Sequence, residues 1–141
     1  MNVAVKRVYE AASPSDGVRV LVDRLWPRGL KKEDAAVKLW LRDLAPSNEL
    51  RQWFHANREG WCMFRKRYLK ELTNEEGSAA VDKLHHLAEG KRNVTLLYAS
   101  RDEEHNNAIV LKELLGGMPK PPSSVGRAAL GREKIRKAKR Q

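Results

Sequence analysis

The fold class is decided by the stretch VRVLVDRLWPRG, residues 18–29. Residues 18–22 are apolar apart from one arginine, which is typical of a strand that other parts of the chain cover on both faces. Proline and glycine then interrupt the chain and end the strand. The sequence therefore predicts a buried strand whose carboxyl end leads directly into the polar residues Asp23, Arg24 and Arg28.

Working outward from this strand, apolar patterns alternate between strand and helix periods. Further strand patterns occur at residues 3–8, 37–41 and 94–99, and helical patterns at residues 31–36, 47–54, 61–72, 78–90 and 108–115. Ser47 and Ser78 are predicted to cap two of the helices. Because strands alternate with helices, we expect an α/β fold: a compact three-layer domain with a small, mainly parallel sheet flanked by helices.

The 141 residues are enough for one domain, which we place at residues 1–117, followed by a proline-containing linker and basic tail at residues 118–141. The net charge of +10 is unevenly distributed. Eight basic residues and a single acidic one follow Gly117, so the tail contributes +7 and the first 117 residues only +3. A high overall charge therefore says little about the folded domain itself.

Several classes of protein are disfavoured by composition. No apolar run approaches the roughly 18–20 residues of a membrane span, and the first residues do not resemble a signal peptide, so we expect no membrane partner and a cytoplasmic location. Cys62 is the single cysteine, and its apolar neighbours predict a buried side chain. No cysteine or histidine spacing indicates a metal, and no phosphate-loop glycine pattern is present, so no cofactor is expected.

The first candidate site follows the strand at residues 18–23. Ligands bind open parallel sheets at the carboxyl ends of their strands. Arg24 and Arg28 would clamp an anionic group with fork-shaped donors, and Trp26 would form an apolar wall. The alternative is structural: Asp23 pairs with an arginine while Trp26 packs into the interior.

The second candidate site occupies the equivalent position after the strand at residues 94–99. Asp102 precedes His105 by three residues, which places the two side chains close enough for the carboxylate to orient the imidazole. We therefore assign proton chemistry to Asp23, Asp102 and His105, with Asn106 as a polar ligand contact. The alternative is that Asp102 or a neighbouring serine only caps the next helix.

A family resemblance is carried by several blocks of sequence. They are VKRVY at residues 5–9, DGVRVLVDRLWPRG at 16–29, LAPS at 44–47, LRQWF at 50–54, Arg67-Tyr68, and LLYA at 96–99 with Asp102, His105 and Asn106. Together they resemble the bacterial YeaO-like family, domain of unknown function 488. The resemblance covers about residues 2–115 and implies a compact α/β fold. It implies no activity, and it does not extend to the tail.

Two functions of different classes follow from these patterns. The first is an enzyme or small-ligand binder with an anion-accepting pocket at the carboxyl edge of the sheet. The alternative is a nucleic-acid-associated protein whose basic tail binds phosphates without reading their sequence. A tail that serves only as a solvated extension is a third, simpler interpretation of the same charges.

Overall fold

The computed structural model describes residues 2–116, and its centre is a four-stranded parallel sheet. The strands are β1 (Val3–Arg7), β2 (Val18–Leu21), β3 (Leu39–Trp40) and β4 (Val94–Tyr98). Their order across the sheet is β1-β4-β2-β3, and every neighbouring pair is parallel. The last strand in the chain is thus inserted between the first two. The predicted linker and tail at residues 118–141 lie outside the described residues.

Five α-helices accompany the strands in this part of the chain. They are α1 (Lys32–Ala35), α2 (Asn48–Ala56), α3 (Trp61–Glu71), α4 (Glu75–Ala88) and α5 (Asn107–Leu115). Two short 3-10 turns, Pro14–Asp16 and Arg42–Leu44, lie before β2 and after β3. The α/β class predicted from the alternation of strands and helices is therefore confirmed.

The two faces of the sheet are covered unequally. Alternate residues of β2 and β4, such as Val20 and Leu96, face a large core that includes residues of α2, α3, α4 and α5. Leu21 and Leu97 point to the other face, where Trp26 and neighbouring side chains of the segment between β2 and β3 cover them. This arrangement explains why residues 18–22 are apolar on both sides of the strand.

Three local predictions differ from the structure. The third strand contains only Leu39 and Trp40, shorter than residues 37–41. Ser78 does not cap a helix, because α4 begins a full turn earlier and Asn74 accepts a hydrogen bond from the Gly77 amide at 2.6 Å. Cys62 is exposed, because the buried face of α3 is formed by residues such as Phe64 and Tyr68.

A buried ion pair lies at the start of β2, and its arginine also donates hydrogen bonds to the end of α1. Arg19 is 4% exposed and donates to the Asp16 carboxylate at 2.6 Å. The same guanidinium donates to the carbonyl oxygens of Ala35 and Ala36 at 2.9 and 3.1 Å. Lys6 adds a second cation 3.1 Å from the Asp16 carboxylate. Each nitrogen of the Arg19 guanidinium and each oxygen of the Asp16 carboxylate has a hydrogen-bond partner. These contacts allow the fold to bury the charged pair.

Within residues 2–116, no helix is both long enough and apolar enough to cross a membrane.

Candidate functional site

The chain leaves the two central strands in opposite directions. After β2 it continues to the face of the sheet where Trp26 and Leu30 pack. After β4 it continues into α5, whose apolar residues belong to the large core on the opposite face. In open parallel sheets, such a divergence between neighbouring strands creates the crevice in which ligands bind. We define the carboxyl edge as the segments that follow the four strands. This edge is therefore the candidate ligand-binding site.

The side chain of Asp23 spans this crevice. Its Oδ2 accepts a hydrogen bond from the Ala99 amide at 2.9 Å, and its Oδ1 accepts one from Asn107 Nδ2 at 3.1 Å. Burial raises the pKa of Asp23, while these two hydrogen bonds and the charge of Arg51 act in the opposite direction. Asp23 is thus held by an amide and an asparagine rather than by the arginine of the structural alternative, and its assignment to proton chemistry stays a prediction.

Arg24 points toward the loop that follows β3. Its Nε and Nη2 lie 3.4 Å from the carbonyl oxygens of Pro46 and Ala45, at the long end of hydrogen-bond distances. The side chain is only partly buried. These long contacts are weak, so exchanging them for hydrogen bonds to an anion costs little free energy.

Trp26 serves mainly as packing. Its indole Nε1 donates to the Leu30 carbonyl at 2.6 Å, and its ring meets Trp40 edge-on with centroids 5.5 Å apart. It covers Leu21 and Leu97 on the smaller core face. The residue remains partly exposed, so its role as an apolar wall stays a prediction.

Arginines recur at the carboxyl edge. One lies within three residues of the end of every strand: Arg7 on β1, Arg24 after β2, Arg42 after β3 and Arg101 after β4. Arg28 adds a fifth, and it is held at the edge by its carbonyl, which accepts a hydrogen bond from the Tyr9 hydroxyl at 3.0 Å. The guanidinium groups of Arg28 and Arg101 are exposed.

These two guanidinium groups differ from the others at the edge. Arg7 donates to the carbonyl oxygens of Ser100 and Ala99 at 2.9 and 3.0 Å, and Arg42 lies over the ring of Trp40 at 3.9 Å. Neither Arg28 nor Arg101 has a side-chain partner among residues 2–116. Their charges are therefore available to a ligand as far as the described part of the chain is concerned.

Asp102 and His105 are in contact, as their spacing predicted. His105 Nδ1 lies 3.2 Å from Asp102 Oδ2, and Arg58 Nη2 lies 2.8 Å from the same oxygen. The imidazole also meets the ring of Trp61 edge-on, with centroids 5.0 Å apart. Within residues 2–116, His105 Nε2 makes no hydrogen bond, so this nitrogen is presented outward.

The charge of Asp102 is stabilised locally. Burial raises the pKa of this carboxyl, but hydrogen bonds from the Glu104 and His105 amides, the His105 ring and Arg58 lower it below its usual value. Asp102 is thus an anion that orients a histidine. Arg58 could not be found from the sequence, because it lies in the loop between α2 and α3 and belongs to no motif.

Asn106 has a structural role at the start of α5. Its Oδ1 accepts a hydrogen bond from the Ile109 amide at 3.1 Å, and its Nδ2 donates to the Asp102 carbonyl at 2.9 Å. Asn106 is the N-cap of the helix, a position that the sequence assigned to Asp102 or Ser100. With 3% of its surface exposed, its predicted contact with a ligand receives no support from this geometry.

A cluster of hydrogen-bonded polar side chains, which the sequence did not indicate, lies near the start of α2. Ser47 donates through Oγ to Glu71 Oε2 at 2.6 Å, and its Oγ also accepts the Leu50 amide, which confirms it as a helix cap. The Tyr68 hydroxyl donates to the Leu44 carbonyl. Burial raises the pKa of Tyr68 well above its usual value, and the charges of Asp23 and Glu71 act in the same direction. Tyr68 therefore remains a neutral donor.

A shallow, open depression of about 350 Å³ lies on α3. It is lined by Cys62, Met63, Arg65, Lys66 and Leu69. None of these residues was a predicted site residue, and none follows a strand.

The fold and the edge together define a parallel α/β protein with arginines at the carboxyl ends of its strands. The chain belongs to the DUF488 family: residues 2–120 match the family model described as "Inactive DUF488-N3 subclade". The resemblance to YeaO-like proteins is thereby confirmed.

The relatives are similar over nearly their whole length. Uncharacterized protein YeaO of Escherichia coli K12 is 44% identical over 117 residues, 82% of this chain and 97% of that protein. Uncharacterized protein Rv3073c of Mycobacterium tuberculosis H37Rv and Uncharacterized protein Mb3100c of Mycobacterium bovis are each 46% identical over 116 residues, 82% of this chain and 95% of theirs. No solved structure matches the chain.

Proposed function

We propose that this protein binds a small anion at the carboxyl edge of its sheet. The observation that carries the proposal is the placement of an arginine near the end of every strand, with the guanidinium groups of Arg28 and Arg101 exposed and unpaired among residues 2–116. Guanidinium donors match the geometry of phosphate and carboxylate groups. The divergent chain path between β2 and β4 supports the proposal, because open parallel sheets bind ligands where neighbouring strands diverge in this way.

Binding is better supported than turnover. Each carboxylate oxygen of Asp23 accepts one hydrogen bond from the protein, which gives the side chain a structural role, and its assignment to proton chemistry stays a proposal. Asp102 and His105 retain the geometry of an oriented base, and their catalytic assignment stays a proposal. The family model that matches residues 2–120 is described as an inactive subclade, which weighs against turnover.

The direct test is calorimetric titration of the full chain with inorganic phosphate and with sulfate. We expect saturable binding that weakens at least tenfold in Arg28→Ala and in Arg101→Ala, because each variant removes a charge-assisted donor. Arg92→Ala is the matched control, since Arg92 is an exposed arginine that precedes β4 and so belongs to the opposite edge. Equal affinities in all four proteins would contradict the proposal, as would the absence of binding.

A second candidate function is supported by a separate observation, the charge of residues 118–141. Their eight basic side chains against Glu133 favour non-specific contact with nucleic-acid phosphates. This function requires no pocket and is independent of the carboxyl edge. Its test is described below.

A further inference from the structure

We propose that the anion bound at the carboxyl edge is a single phosphate group attached to a planar aromatic ring, and that this ring stacks on Tyr9. The inference rests on the proposed function and names the chemical class of its ligand. It is carried by an exposed aromatic side chain in direct contact with the arginines of the edge.

Tyr9 is unusual in being a large side chain left open to solvent. Three large apolar or aromatic residues are exposed among residues 2–116: Tyr9 at 41%, Leu25 at 62% and Met63 at 49%. Tyr9 and Leu25 both belong to the carboxyl edge, two residues after β1 and four residues after β2. A ring that is partly open to solvent beside guanidinium groups offers an apolar surface and positive charge to the same ligand.

The ring of Tyr9 is held in place rather than free to turn. Its hydroxyl donates to the Arg28 carbonyl at 3.0 Å, and the guanidinium of Arg7 lies over the ring, 5.0 Å from its centroid. Arg7 is itself fixed by the carbonyl oxygens of Ala99 and Ser100, the residues just before Arg101. Arg7 lies over one face of the ring, and we place the second ring on the opposite face.

The charge of the edge limits how many phosphates the ligand carries. Its arginines are accompanied by acidic side chains, of which Glu10, Asp43, Glu103 and Glu104 are exposed. Glu10 and Glu103 lie near enough to Tyr98 to raise the pKa of its hydroxyl, after burial itself, so they belong to the same end of β4. Additional phosphates would bring more negative charge close to these carboxylates, which favours a ligand with a single phosphate.

Adenosine monophosphate is a suitable probe, because it joins one phosphate to a planar base. Base stacking on an aromatic side chain and the phosphate contacts act together, so we expect the full chain to bind this probe at least tenfold more tightly than inorganic phosphate. Adenosine alone and adenosine triphosphate should both bind more weakly than the monophosphate.

Substitutions at Tyr9 distinguish the contribution of its ring to binding from that of the arginine charges. Tyr9→Ala should bind adenosine monophosphate about tenfold more weakly than Tyr9→Phe, because both variants lose the hydroxyl that contacts the Arg28 carbonyl and only Tyr9→Ala loses the ring, whereas the two variants should bind inorganic phosphate equally. Tyr9→Phe retains the ring and should keep the affinity within about threefold. Met63→Ala is the matched control, because Met63 is equally exposed but lies on α3, and it should bind as the unmodified chain does.

The possible failures are distinguishable. Equal affinities for adenosine monophosphate and inorganic phosphate, both lost in Arg28→Ala, would overturn the aromatic ligand and leave the anion site standing. Tight binding of the monophosphate that Tyr9→Ala does not weaken would overturn the stacking role of Tyr9. The absence of binding by either probe would overturn both proposals. Thermal melting of each variant, monitored by circular dichroism, shows whether it is folded.

Discussion

At the scale of single residues, Arg19 is the strongest test of how this fold tolerates a buried charge. Arg19→Met removes one of the two cations that contact Asp16, the more deeply buried one, and the donors to two carbonyl oxygens at the end of α1. Breaking a buried ion pair costs about 3–5 kcal/mol, and we expect a loss of that size in the free energy of unfolding measured with urea. Lys38→Met, at an exposed site, is the control. A loss below about 1 kcal/mol, as exposed pairs show, would contradict the assignment.

The same pair predicts a pH dependence. Burial alone raises the pKa of Asp16, but hydrogen bonds from the Ser13 amide, Lys6 and Arg19 and the charge of Lys6 lower it below its usual value. The unfolded chain then binds the proton more readily than the folded chain. The stabilisation is therefore fully present above the unfolded pKa of about 3.9 and is lost as the pH falls through the folded pKa. The stability difference between the unmodified chain and Arg19→Met should shrink over that range and stay constant from pH 5 to 7.

His105 offers a residue-level test of the contact with Asp102. Because Asp102 is an anion beside Nδ1, neutral His105 should carry its proton on Nδ1 and leave Nε2 free. Nitrogen-15 NMR distinguishes the two tautomers. In Asp102→Asn the preference for Nδ1 protonation should weaken, while His86, exposed on α4, should not change. Predominant protonation of Nε2 in the unmodified chain would contradict the contact.

At the scale of elements, the start of α4 distinguishes two candidate N-cap residues, Asn74 and Ser78. Asn74 accepts the Gly77 amide, whereas Ser78 lies inside the helix. Loss of a helix cap costs about 1 kcal/mol, so Asn74→Ala should lower the free energy of unfolding by that amount and Ser78→Ala by much less. A larger effect at Ser78 would place the start of the helix where the sequence alone suggested.

The elements were predictable because their apolar periods are local. Residues 18–21 and 94–98 are strands in the structure, within the predicted ranges 18–23 and 94–99, and Ser47 caps α2 as its position before Leu50 indicated. Strand order was not predictable, since the insertion of β4 between β1 and β2 depends on long-range pairing. The side-chain contacts at the carboxyl edge were not predictable for the same reason. Nothing local reveals that Asp23 is held by the amide of Ala99, 76 residues away, or that Arg24 faces the loop after β3.

Cys62 shows a different limit of sequence reasoning. Its neighbours Trp61 and Met63 are apolar, which predicted burial, but successive residues of a helix point in different directions. Only Trp61 packs against the large core, while Met63 and Cys62 face outward beside Lys66.

At the scale of the whole molecule, the positive charge is concentrated in residues 118–141. The two candidate functions can therefore be tested separately. Replacing Lys134, Arg136, Lys137, Lys139 and Arg140 by glutamine keeps the chain length and removes five positive charges. If the tail binds duplex DNA, affinity should fall with salt at a log–log slope of about −0.9 per neutralised phosphate, and the replacement should reduce that slope. Filter binding at several salt concentrations measures it. Unchanged binding after the replacement would assign nucleic-acid contact to the folded domain.

The central claim is that the carboxyl edge of the sheet accepts an anion. The most direct measurement is a phosphate titration of the nitrogen-15-labelled full chain, followed by the amide and arginine Nε signals in NMR spectra. The account predicts saturable shifts at Arg28, Arg101 and the amides near them, and no shift at Arg92 before β4. Shifts confined to residues 118–141, or distributed equally over both edges of the sheet, would contradict it.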